Sequence, residues 1–235
     1  MYYKSSGEKV YPKSSLLQIF PKYTVIGDSL AAGYVSVDGT TISSETARET
    51  KNNWPGFLEL RTGRTFTNVS VGNTKAKDWR TTYISTANID TDCYLVGIGV
   101  NDNRYSYAIG TSADIAVNKD NNADSFYGNY DYIIRALQGY NPVAHIFVFT
   151  IPASESNAES YNVAIRYIAS LYERVHLIDL YSLYESEYTS GFIADNFYNG
   201  HYTVEAYNYM SLILEEAISN YIYQNYESFL LSPYS

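Results

Sequence analysis

The chain has 235 residues, 46% of them hydrophobic and 17% charged, with a formal net charge of −9. That balance suits one folded α/β domain and excludes a disordered chain. The acidic excess provides no basic face for nucleic acid and no polybasic patch for anionic lipid, so neither is an expected partner.

Tyrosine is the compositional outlier, at 27 residues. Its ring and hydroxyl suit sugar stacking and interfaces, and equally the rim of a core. The single cysteine, Cys93, lies in an apolar run. It excludes an intrachain disulfide and a cysteine-based metal site, and is expected to be a small core residue. The N-terminal MYYKSSGEKV lacks the apolar centre of a signal peptide. No run approaches the roughly 18 apolar residues of a membrane span. Compartment and oligomeric state stay open.

Taken in order, residues 23–26 (YTVI) form a β-rich run that ends at Gly27. Asn53 is placed to cap a helix over 54–60. A second strand is predicted at 66–71 and a third at 93–98. Residues 106–125 are polar and rich in Asn and Asp, as in a long loop. Phe126, Tyr130, Ile133, Ile134 and Leu137 follow helical spacing up to Gly139 and Pro142. A fourth strand is predicted at 145–150. Val163, Tyr167 and Leu171 mark a further helix, and 175–180 a fifth strand. After a loop at 184–200, Thr203 is placed to cap a last helix. Its stripe is Ala206, Tyr209, Met210, Ile213, Leu214, Ala217, Ile218 and Tyr221.

The near-continuous apolar strands and the βαβα order imply a parallel sheet with helices on both faces and right-handed crossovers. One domain is expected over 1–235, with a core at about 22–222 and peripheral extensions before and after it.

In such a sheet, ligands bind beyond the carboxyl ends of the strands. Four candidate groups fall there: Gly27-Asp28-Ser29 after the first strand, Gly72 after the second, Gly99-Val100-Asn101-Asp102 after the third, and His201 before the last helix. A serine hydroxyl beside a histidine base is a potential nucleophile. Asp28 and Asp102 are expected to brace their loops. His145 and His176 lie inside strands, too far from the rim to take part.

This ordered set (GDS, a glycine after strand two, GxND, and a late histidine) resembles the SGNH, or GDSL-like, serine hydrolase family from residue 23 to about 222. The resemblance implies a flavodoxin-like three-layer α/β/α sandwich with a five-stranded parallel sheet in the order 2-1-3-4-5. It implies Ser29 as nucleophile and His201 as general base. It places the oxyanion hole at the backbone N–H groups of Ser29 and Gly72 and the side chain of Asn101. No metal or cofactor is needed for that chemistry. The family includes lipases, carbohydrate esterases and acetylhydrolases. The expected substrate is a small acyl ester, such as an O-acetyl ester, on a small molecule or a carbohydrate. Residues 65–79 and the segment GHYTVEAYNYM also resemble SGNH domains of bacteriophage tail proteins, which opens the alternative of a glycan-binding module with weak turnover or none.

One position departs from the family pattern. An aspartate usually precedes the histidine by three residues, and here that place holds Tyr198. Three arrangements follow: a Ser-His dyad held by a backbone carbonyl, a triad with Asp195 brought in by a different loop path, or a site that binds without turnover.

Overall fold

The computed structural model describes residues 15–37, 40–41, 51–187 and 195–230. Five strands form one sheet: β1 (Lys22–Gly27), β2 (Thr65–Asn68), β3 (Cys93–Gly97), β4 (His145–Phe149) and β5 (Val175–Ile178). Their order is β2-β1-β3-β4-β5, and every ladder is parallel, with Val25 opposite Leu95 and Phe147 opposite His176. The α/β fold with a five-stranded parallel sheet is thus the one the sequence implies. The helices are α1 (Ser29–Ala32), α2 (Trp54–Thr62), α3 (Val100–Arg104), α4 (Phe126–Tyr140), α5 (Glu159–Ser170), α6 (Leu180–Glu187), α7 (Val204–Gln224) and α8 (Tyr226–Leu230).

The apolar runs explain the layering. All five residues of β4 are buried, which requires cover on both faces. The chain steps from β1 through α2 outward to β2, and from β3 through α4 and α5 in the opposite direction. Right-handed crossovers then set α2 on one face and α4 and α5 on the other. In agreement, α7 packs on α2 and α4 packs on α5. Among the described residues no helix is long and apolar enough to cross a membrane.

Caps fall where the sequence places them. Asn53 Oδ1 accepts from Gly56 N–H and Thr203 Oγ1 from Ala206 N–H. The predicted stripe of α4 is fully buried. In α5 the helix is present, but Val163, Tyr167 and Leu171 are exposed; the buried face is Tyr161, Ala164, Ile165 and Ile168. Three apolar residues at spacing four draw the stripe about a third of a turn off the buried face.

Tyrosines reach further inward than the rim. Tyr23, Tyr94, Tyr202 and Tyr207 are buried, and the hydroxyls of Tyr23, Tyr94 and Tyr207 donate to the carbonyls of Leu17, Ala87 and Tyr34. The described parts of the flanks likewise pack on the core. Leu17 is fully buried, and Phe229 of α8 stacks on His145. His145 and His176 meet at 2.8 Å between Nδ1 and Nε2. Burial pushes them down to about 4 and about 3, so both are neutral at ordinary pH. Cys93 is buried, and burial pushes its thiol up.

One ion pair ties the layers on the α2 side. Arg61 of α2 donates from Nε to Glu215 of α7 at 2.6 Å and from its other nitrogens to Asn208 and Ser211. Glu215 is buried. Arg61→Met leaves that carboxylate without its cation and should cost roughly 3–5 kcal/mol in urea unfolding. The double variant Arg61→Met/Glu215→Leu should recover most of the loss.

Candidate active site

The sheet order reverses between β1 and β3, and the candidate residues gather at that switch point. Ser29 opens α1 directly after β1. The turn is tight because Gly27 carries no side chain: a Cβ there would come within 2.6 Å of Ala31 Cβ. Asp28 caps α1 through Oδ1, which accepts from Leu30 N–H at 2.9 Å. As the first residue of α1, Ser29 has no intrahelical acceptor for its N–H. With only four residues, α1 contributes little dipole, so individual donors must carry any charge stabilisation.

Asn101 lies on α3, which begins after Gly99. Gly99 has φ +130, a conformation side-chain-bearing residues rarely adopt. Asn101 Nδ2 donates to Thr74 O at 3.1 Å and makes a longer contact of 3.4 Å with Asp28 Oδ2. Asp102, next to it, accepts from Ala76 N–H with both oxygens. Both aspartates are therefore bracing groups. Burial pushes Asp28 up to about 6 and Asp102 up to about 7.

Gly72 sits past β2 beneath the Tyr34 ring. A Cβ at Gly72 would lie 2.7 Å from Tyr34 Cε2 and from its hydroxyl oxygen. Tyr34 in turn stacks on His201, with ring centroids 5.5 Å apart and planes 25° apart.

His201 is carried by a hairpin inside the segment read as loop. Strands β6 (Phe197–Tyr198) and β7 (His201–Tyr202) pair antiparallel, with Tyr198 opposite His201. The two-residue turn is Asn199-Gly200, with φ +49 and +78. Positive φ at both central positions is the mirror-image turn that matches strand twist, and Asn-Gly is its preferred sequence. The dipeptide was the available signal for this hairpin.

The hairpin delivers the imidazole to the serine. His201 Nε2 lies 2.9 Å from Ser29 Oγ, and Nδ1 lies 3.0 Å from Asn199 O. A carbonyl only accepts, so Nδ1 carries the proton and Nε2 presents its lone pair to the hydroxyl. Asp195 is exposed, and among the described residues no carboxylate is within ion-pair distance of the ring. Burial, with help from Arg104, holds the imidazole below its usual value; the Asn199 carbonyl and Glu155 oppose that.

Further residues hold the hairpin, and none of them stands out in the sequence. Arg104 forks onto the buried Glu155, with Nε 2.9 Å from Oε2, and donates to Gly200 O at 2.8 Å. Ser154 Oγ bonds the Tyr202 hydroxyl, and Ser36 Oγ donates to Tyr198 O at 2.6 Å. Among the described residues no three His, Cys, Asp or Glu side chains are grouped to hold a metal.

Gly200→Ala tests this support. A methyl group there meets a positive φ and would lie 2.8 Å from an Arg104 nitrogen. The expected loss is at least about 1–2 kcal/mol in urea unfolding, with the His201 ring signals shifted in the NMR spectrum of the folded variant.

Solved structures share this architecture. An extracellular lipase from Streptomyces rimosus is 14% identical, with a TM-score of 0.54 over 83% of this chain and 99% of that one. A possible lipase from Chitinophaga pinensis is 16% identical, with a TM-score of 0.61 over 86% and 98%. A carbohydrate esterase family 2 enzyme with a carbohydrate binding domain, from Corynascus thermopiles (Myceliophthora fergusii), is 13% identical, with a TM-score of 0.58 over 91% and 69%. These likenesses concern the fold. No curated protein matches the sequence. The model of the GDSL-like lipase/acylhydrolase family matches residues 25–208, which include Ser29, Gly72, Asn101 and His201, and the chain belongs to that family.

Proposed function

We propose that the chain is a serine esterase that removes a small acyl group from a carbohydrate ester through an acyl-enzyme on Ser29. The observation that carries this reading is the 2.9 Å contact between Ser29 Oγ and His201 Nε2, with Nδ1 satisfied by Asn199 O. In this reading the free lone pair of Nε2 takes the hydroxyl proton as Oγ attacks the ester carbonyl carbon. The tetrahedral oxyanion is met by the N–H groups of Ser29 and Gly72 and by Asn101 Nδ2, which exchanges its long contact to Asp28 for the stronger charge. The imidazolium then returns the proton to the leaving alcohol oxygen as the C–O bond breaks. Water repeats the sequence on the acyl-enzyme and releases the acid. Ser29 and His201 thus act as a dyad, and Asp195 has no part in it.

Two features support the substrate class. Tyr105 and Tyr198 are 60% and 42% exposed. Tyr105 is tied by its hydroxyl to Asn73 beside Gly72, and Tyr198 is the cross-strand neighbour of His201. Exposed rings flanking a nucleophile suit the apolar faces of a sugar. The apolar pocket between Asp28, Leu30, Trp54, Phe149 and Met210 borders the turn that carries Ser29 and suits an apolar acyl group.

Hydrolysis of p-nitrophenyl acetate tests the chemistry. Ser29→Ala should abolish turnover with the circular dichroism spectrum unchanged, while Asp195→Ala should keep most of it. A loss of about 10⁴ in Asp195→Ala would replace the dyad by a triad. Because burial lowers the His201 pKa, the neutral base persists below its ordinary pH range. The plot of kcat/KM against pH should therefore rise with an apparent pKa below 6.5. A wild-type protein that binds acetylated oligosaccharide but turns over neither substrate is the glycan-binding alternative.

A further inference from the structure

We infer that Tyr34 is a positioning residue for the base: its ring face holds the His201 ring and stabilises the imidazolium that forms in each half-reaction. The inference rests on the esterase reading for its catalytic consequence, but not for its physical content.

The need for such a group follows from the hairpin. When Ser29 Oγ bonds to the acyl carbon, its proton moves to Nε2 and the ring becomes a cation. A triad aspartate would then face that cation with a full negative charge. Here, among the described residues, Nδ1 faces the Asn199 carbonyl dipole. Among the described residues, the charged groups acting on the ring are Arg104, which opposes protonation, and Glu155, which favours it. These two are paired to each other, so they largely cancel.

The Tyr34 ring supplies a negative face. Its centroid is 5.5 Å from that of His201 with the planes at 25°, within the roughly 6 Å over which a cation feels an aromatic quadrupole. Its backbone is fixed at both ends: Tyr34 N–H donates to Ser29 O at 2.9 Å, and Tyr34 O accepts from the Tyr207 hydroxyl at 2.8 Å. The far end of the ring occupies the space over Gly72 that a side chain would need. One side chain thus spans the gap between the oxyanion loop and the base. The absence of a side chain at Gly72 is what leaves it room.

The test is NMR titration of the His201 ring in histidine-labelled protein, together with turnover of p-nitrophenyl acetate. Tyr34→Leu keeps the ring covered and removes the π face. It should lower the His201 pKa by about half a unit to one unit and reduce kcat about three- to tenfold with little change in KM. Tyr34→Phe should keep both values near wild type. Gly72→Ala, which pushes the ring aside without truncating it, should lower the pKa in the same way. An unchanged pKa in Tyr34→Leu and Gly72→Ala overturns the inference. So does a Tyr34→Phe variant that falls as far as Tyr34→Leu, which would assign the effect to the hydroxyl. If wild type shows no turnover and the pKa still falls in Tyr34→Leu, the stacking stands and the esterase reading fails instead.

Discussion

His201 donates its Nδ1 proton to the carbonyl of Asn199, two residues back in its own chain. That bond fixes the tautomer, and the tautomer fixes which nitrogen meets the serine. A side-chain partner would have to be carried in from elsewhere and held there. The carbonyl is placed by the turn itself, because both central residues adopt positive φ. The requirement on the sequence shifts from an aspartate three residues upstream to an Asn-Gly pair between two short strands.

The sheet sets the other half of the geometry. Parallel strands with right-handed crossovers bring the ends of β1 and β3 side by side where the helices diverge. Ser29 and Asn101 stand at those ends, and Gly72 follows the neighbouring β2. Glycines at 27 and 99 let the chain turn sharply out of the strands. The cleft therefore requires no special packing beneath it, and the apolar strands remain uninterrupted.

Much of this was legible in the sequence. Each strand is a dense apolar run, and Ser29, Gly72 and Asn101 announce themselves by following one. His201 could be placed before the final helix because that helix has a long stripe and a threonine cap. What holds His201 was less visible, since a backbone carbonyl has no letter of its own. The strands flanking Asn199 and Gly200 are two residues each, too short for alternation to register. Tyr34 meets His201, and Arg104 meets Glu155, only through the tertiary fold. Leu17 and Phe229 looked peripheral because neither lies in a segment with a sustained stripe. The stripe in α5 misled for a related reason: alanines at 164 and 169 fill the inward face, and the larger residues point to solvent.

The Arg104 fork has one more consequence. Arg104 is the last residue of α3, the helix that carries Asn101, and it holds Gly200 at the apex of the hairpin that carries His201. Asn103 of the same helix donates to Ser156 O, and Ser154 bonds Tyr202. Asn101 on that helix and His201 on that hairpin are thus tied together by a few short bonds, so the distance between them is set locally instead of by the whole domain.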